Sequence, residues 1–445
     1  MEPKELIEKK NDDTIYGIKR KFVREVKLVA TTKERKTTLG ELIKRYRGNT
    51  SLSELSRVSG VSKSVIGKIE NGETKRPELK TLIPIFSALN IPKEEMMELY
   101  IKIEDRFEIL YELLLEELEF DNVSLCRKLA EKIMECPGEE SWTLADRLYK
   151  LAVSVKESPL KLVLLEVLIK YCRIRGIHPI FARSLLQRYL LERTDLNRLR
   201  ETFKLGEEVK HYLEFLNIEE KITFLFRFAL HAHNIQEYVM CIESCKQGIE
   251  LEKKDTELKA RAYLSMINCY SYTANYDEVE KHLDIFETFK HDFVGEASLL
   301  TRAIVKSRKK EFDLAIPLLK KCLDETSKQA QIHVENELLD IYLQLGDMKS
   351  IVGLISREDL FLPRNPETPY KYSAIGSYFR LKGIYRFRTG LFDLGVESFI
   401  KSIGAYKTIN AHEEINICMK ELMKNICNSS MELKREHIAM LQEVL

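Results

Sequence analysis

The sequence predicts an all-α protein in two parts, a small bundle of five short helices followed by a long array of helical hairpins. Three observations carry that expectation. Only 18 Gly and 11 Pro occur in 445 residues, so little interrupts helix. Apolar residues recur at three- and four-residue spacing from residue 38 onward. One short phrase returns at intervals of about forty residues through the second half.

Charge is divided unevenly along the chain. Residues 14–36 carry eight Lys/Arg against two Glu, and residues 38–90 carry nine against five. The net charge of +1 thus conceals a basic front and an acidic remainder, which places any polyanionic partner at the front. The nine cysteines run from Cys126 to Cys427 without a C-x-x-C, so neither a zinc ribbon nor a disulfide framework is expected. No cofactor or metal is expected. The charged start, MEPKELIEKKNDD, lacks a signal-like apolar segment, and no apolar run is long enough to span a bilayer. A cytoplasmic protein without membrane contact is the expectation. Residues 1–37 read as a basic extension, with 14–37 a strand-like or mobile arm suited to a phosphate backbone.

Residues 38–100 hold the five short helices. TTLGELIKRYRG places Leu39, Leu42, Ile43 and Tyr46 on one face, and Gly48-Asn49 stops it. SLSELSRVSG follows, with Leu52, Leu55 and Val58 at helical spacing and Gly60 as a left-handed end. Ser62 is a suitable N-cap for KSVIGKIENG, in which Val65, Ile66 and Ile69 are expected inward. PELKTLIPIFSALNI and PKEEMMELYIKI supply the fourth and fifth helices, with Leu79, Leu82, Ile83, Ile85, Phe86 and Leu89 toward the core. Gly60 and Gly67-Lys68 do not form a phosphate loop, because six residues separate the glycines and Ile69 follows the lysine.

The order and spacing in LSELSRVSGVSKSVIGKIENGETKRPELKTLIPIFSALNI closely resemble the Cro/repressor-type helix-turn-helix family. That resemblance implies that the second helix of the motif enters the major groove of a double-stranded operator, with Lys63, Ser64 and Lys68 nearest the base edges and the N-cap Ser62 also at the DNA. Lysine and serine donate to base acceptors but lack the bidentate fork of Arg, Gln or Asn. Phosphate contacts are expected from Ser53 at the start of the first motif helix, and from Asn71, Lys75 and Arg76.

Residues 101–220 read as a linking helix and divergent hairpins, and residues 221–445 as regular ones. The recurring phrase appears as HNIQEY, ANYDEV, KEFDLA, GDMKSI and GLFDLG. Its closing residues, Tyr238, Val279, Ala315, Ile351 and Gly395, lie 41, 36, 36 and 44 residues apart. The spacing is close to the tetratricopeptide (TPR) period of about 34 residues. The array resembles a degenerate TPR domain, which implies a right-handed superhelix with a concave inner face. In that frame Arg227, His231, Arg261, Asn268, Tyr272, Arg308, Asn336, Asp340, Arg380 and Arg388 point inward. Asn can hold a peptide backbone by paired amide bonds, and Arg can fork onto a carboxylate.

A Cro-type domain ahead of a TPR-like body resembles the RRNPP peptide-sensing transcription regulators of Gram-positive bacteria and their phages, relatives of NprR, PlcR and Rap. The resemblance implies a homodimer on paired half-sites, controlled by a short signalling peptide of quorum-sensing type. Two alternatives share the architecture: a regulator whose TPR body docks a protein partner, and a Rap-like response-regulator phosphatase with an added DNA-binding domain. The sequence has no HExxH, GxSxG or paired metal ligands, so no enzyme is expected; His231-x-His233 lacks a third ligand.

Overall fold

A computed structural model describes residues 37–156, 158–325, 331–429 and 431–444. These residues contain helices and no strand. The chain divides into two units, Met1–Leu144 and Ala145–Leu445. The basic arm expected over 14–37 lies outside the described residues except for Thr37.

The first unit begins with α1 (Leu39–Arg47), α2 (Leu52–Ser59), α3 (Lys63–Glu70), α4 (Leu79–Ala88) and α5 (Lys93–Ile103). Each boundary has a local cause. The Thr38 hydroxyl accepts from the Glu41 N–H at 3.2 Å while the Glu41 carboxylate accepts from the Thr38 N–H at 3.0 Å, a reciprocal cap. Ser51 and Ser62 cap α2 and α3 through the N–H groups of Glu54 and Val65. Gly60, at φ 72°, ends α2 in the left-handed region, where a side chain is strained. Leu42, Ile43, Leu55, Ile66, Ile69, Leu82, Ile85 and Phe86 form the core.

Four residues expected inward are not. Tyr46, Val58, Val65 and Ile83 are all exposed, Val58 by 58%. The helices are only two to three turns long, so the buried stripe is narrower than the sequence period suggests. The Tyr46 hydroxyl instead donates to Glu95 at 2.8 Å.

Two contacts fix α3 against α1. The Arg47 guanidinium donates to both oxygens of the nearly buried Glu70 carboxylate, at 2.7 and 2.9 Å. At the other end of α1, Gly40 packs so close that a methyl group there would lie 2.3 Å from the Ile69 carbonyl oxygen. Beyond α5 come α6 (Phe107–Glu119) and α7 (Val123–Ile133). Glu104, at the α5–α6 joint, is buried and accepts from the Tyr100 hydroxyl, the Asp105 and Arg106 N–H groups, and the Arg106 guanidinium. With the Arg106 side chain as the largest cause, its pKa is pulled down to about 2.

Helix α8 (Ser141–Ser154) spans the boundary between units. The second unit continues with α9 (Ser158–Arg175), α10 (His178–Glu192) and α11 (Leu199–Lys210). Four helical hairpins follow in succession: α12 (Ile218–Asn234) with α13 (Tyr238–Leu251), α14 (Glu257–Tyr272) with α15 (Tyr276–Phe286), α16 (Phe293–Arg308) with α17 (Phe312–Glu325), and α18 (Gln331–Leu345) with α19 (Met348–Ile355). After the short α20 (Glu358–Phe361), α21 (Pro369–Arg388) pairs with α22 (Phe392–Thr408), and α23 (His412–Cys427) and α24 (Arg435–Val444) end the unit. The first helices of successive hairpins pack on one another, α12 on α14, α14 on α16, α16 on α18 and α18 on α21. They form one layer of the stack.

The recurring phrase falls at the hairpin turns, each of which carries one residue of positive φ: Gln236, Ala274, Lys310, Gly346 and Gly390. Val279, Ala315, Ile351 and Gly395 each follow that residue by five positions and are buried. Tyr238 follows Gln236 by only two, and the fifth position is Cys241, which is fully buried. The first repeat is therefore anchored at Cys241 and not at Tyr238. Eight of the nine cysteines are buried and Cys427 is exposed; all are free thiols.

Within the second unit the end of the chain returns to its beginning. The Asn410 side-chain amide donates to the Asn197 carbonyl, and Arg200, Asn234, Ile409 and Glu414 line one small cavity.

Candidate nucleic-acid interface and a polar cavity

Helix α3 follows α2 across the three-residue turn 60–62 and presents one face to solvent. Ser62, Lys63, Ser64 and Lys68 are all exposed on it, and Ser53 is exposed near the start of α2. Neither Lys63, Lys68 nor Lys75 makes an ion pair among the described residues; Lys63 and Lys68 belong to this helix, and Lys75 to the segment that follows it. Asn71 is exposed as the C-cap of α3. Arg76 differs from the other expected phosphate contacts: its guanidinium is held by Asp105, which also accepts from Lys132 at 2.8 Å. The half-exposed Val65 was missed because its spacing is that of a core residue; an apolar side chain at this point can contact a thymine methyl.

The second unit contains a cavity of about 340 Å³. Its lining comes from the turn between α12 and α13 with the adjoining helix ends, from the end of α14, from α16, α18 and α21, and from α22 and α23. Of the ten residues expected on an inner face, Tyr272, Arg308, Asn336 and Arg380 line it. Arg308 reaches the Glu337 carboxylate at 3.3 Å, and Arg380 donates to both oxygens of Glu421 at 3.0 and 3.1 Å. Burial raises the pKa of Glu337 despite that partner. The Asn336 side-chain N–H₂ donates to the Ala374 carbonyl at 2.8 Å, tying α18 to α21, while its buried Oδ1 has no partner. Nε2 of His233, also on the lining, is buried and likewise unpartnered.

The other six residues lie elsewhere. His231 belongs to the core: its Nε2–H donates to the Leu199 carbonyl at 2.8 Å and its Nδ1 accepts from the Tyr189 hydroxyl at 3.1 Å. Burial lowers its pKa to about 4, so the ring is neutral at ordinary pH. Arg227 and Arg261 are exposed, the latter paired with Glu257 at 2.7 Å. Asp340 accepts from Gln344 at 2.8 Å, Arg388 donates to the Leu343 carbonyl at 2.7 Å, and Asn268 is half-buried away from the cavity. A frame set by Tyr238 rather than Cys241 misplaces such positions in the first hairpin.

Sequence reasoning also missed most of the cavity's aromatic wall. Tyr238 stacks on Tyr272 with ring centroids 5.3 Å apart, and His333 stacks on Tyr370 at 4.0 Å. Tyr406 and Glu414 complete the lining from helices far along the chain. Among the described residues, no group of three His, Cys, Asp or Glu is arranged to hold a metal ion, and no helix is long and apolar enough to cross a membrane.

Residues 43–96 match the family described as Helix-turn-helix. Comparison with curated proteins gives no match to the chain. The match covers α2 and α3 with their flanking helices and agrees with the capped turn and the exposed basic face described above. The first unit thus carries a Cro/C1-type helix-turn-helix, the DNA-binding domain of a transcription regulator, in a chain whose other described residues form helices and no strand.

Proposed function

We propose that the protein is a sequence-specific transcription regulator whose operator binding is controlled by a short signalling peptide held in the cavity of its helical body. The DNA-binding half of this reading rests on the helix-turn-helix match and on the free ammonium groups of Lys63, Lys68 and Lys75. The sensing half is supported by one observation above the rest: a polar, aromatic cavity built from several consecutive hairpins contains two buried polar atoms, Asn336 Oδ1 and His233 Nε2, without partners. A buried unpaired polar atom costs about 1–3 kcal/mol, and a peptide backbone supplies what both lack. In this reading the hairpins form a TPR-like superhelix.

The protein acts as a homodimer on paired half-sites in this reading. Ile417 and Met423 on α23, with Ile438 and Met440 on α24, are exposed apolar surface that a second copy would cover. Because the cavity touches every hairpin from α12 to α22, a peptide that fits one curvature of the stack better than another shifts the spacing of the two reading helices. A coupling of about 1–3 kcal/mol gives a 5- to 150-fold change in operator affinity.

Native mass spectrometry of the full chain, purified from its own host's culture and from a heterologous host, tests the reading. A dimer that carries the mass of a five-to-ten-residue peptide only in the first sample is the expected result. A bare dimer in both, with operator affinity unmoved by host peptide extract, overturns peptide control and leaves a helix-turn-helix regulator whose body docks a protein.

A further inference from the structure

The cavity's charges are unequally satisfied. Both arginines on its wall are neutralised, Arg308 by Glu337 and Arg380 by Glu421. Glu414 is different. Its carboxylate makes no ion pair among the described residues, and Arg200, which lines a small cavity with it, is engaged 3.7 Å from Glu237 and with the Ile235 carbonyl. Burial raises the pKa of Glu414; a hydrogen bond to its own backbone and the charge of Arg200 oppose the rise, and Glu413 adds to it. Tyr238, Tyr272 and Tyr406 line the same cavity, and the Glu414 charge reaches all three phenols, adding to the rise that burial gives them.

A lone carboxylate among aromatic rings is the surrounding that favours a cation, by charge pairing and by attraction to the ring quadrupoles. The two unpartnered polar atoms of the cavity, Asn336 Oδ1 and His233 Nε2, show independently that its polar wall is incomplete without an occupant. We propose that the ligand of this cavity carries a positive charge, an ammonium or guanidinium group seated against Glu414 among Tyr238, Tyr272 and Tyr406. This inference rests on the peptide-sensing reading and specifies it: the signal is a basic peptide, or one that presents its free amino terminus here. An anionic ligand meets arginines already paired and a carboxylate that repels it.

The test offers the full-length protein an equimolar pool of synthetic hexapeptides, followed by ultrafiltration and mass-spectrometric identification of what is retained. In one arm every peptide is N-acetylated and amidated and occurs as an Arg and a citrulline twin, the latter its neutral isostere. In the other arm each sequence occurs with a free and with an acetylated amino terminus. The expected result is at least tenfold enrichment of the charged twin in one arm. Glu414→Gln should abolish that preference while still retaining peptides, and Glu414→Asp should preserve it. Retention without preference in either arm, or a preference unchanged in Glu414→Gln, overturns the cation site and leaves peptide sensing intact. Retention of no peptide removes the sensing reading and this inference with it.

Discussion

Lys63 and Lys68 project from the exposed side of α3 without an ion pair, while the acidic residues nearby, Glu54 and Glu70, are committed to Arg57 and Arg47. Replacing either lysine with alanine should weaken operator binding by about 1–3 kcal/mol and non-specific binding much less. Lys75→Ala should weaken both alike and reduce the slope of log affinity against log salt by about 1. Fluorescence anisotropy on operator and scrambled duplexes over a salt series checks both; equal losses from Lys63→Ala on the two duplexes would make it a phosphate contact. Glu104 yields a pH prediction. Its folded pKa, about 2, lies below its ordinary value near 4.5, so its contribution to stability is complete above pH 4.5 and is lost as pH falls through 2. Urea unfolding should therefore find Glu104→Gln less stable than the wild type at pH 6, with the gap narrowing steadily toward pH 2. A gap independent of pH would assign the effect to packing.

The helix caps, the left-handed Gly60 and the order of the five short helices follow from local chemistry, and the sequence displays them openly. Gly40 is another matter: nothing local distinguishes it from a weak helix former, and only the approach of α3 shows why a side chain is excluded. Gly40→Ala, which raises intrinsic helix propensity by about 1 kcal/mol, should nonetheless destabilise the first unit, by about 1–3 kcal/mol, because the obstacle is the Ile69 carbonyl rather than a movable side chain. Circular dichroism during urea unfolding gives the sign, and a stabilised variant would contradict the packing. The hairpin turns supply the converse case. Ala274 has φ 56°, where its Cβ is strained, so Ala274→Gly should raise stability by about 1 kcal/mol in the same measurement. The cavity was only partly legible. Its arginines and Asn336 emerge from the repeat period, whereas Tyr238 sits where the first turn slips the frame by three residues, and Tyr406 and Glu414 arrive by tertiary folding that periodicity does not encode.

For the molecule as a whole, the exposed apolar residues of α23 and α24 bear on assembly. On the dimer proposed above, Ile438→Glu should raise the dissociation constant at least tenfold in sedimentation equilibrium; an unchanged constant, or a monomeric wild type, would overturn the assignment of this surface to a dimer contact. The meeting of Asn410 with Asn197 has a separate consequence, in the time domain. The two residues are 213 positions apart, and the cavity residues Tyr406 and Glu414 lie equally late, so the cavity is incomplete until residue 414 has left the ribosome. At roughly 5–20 residues per second, the helix-turn-helix domain exists as a finished object for on the order of ten seconds or more before Glu414 arrives to complete the cavity. During that interval the cavity proposed to hold the ligand does not yet exist.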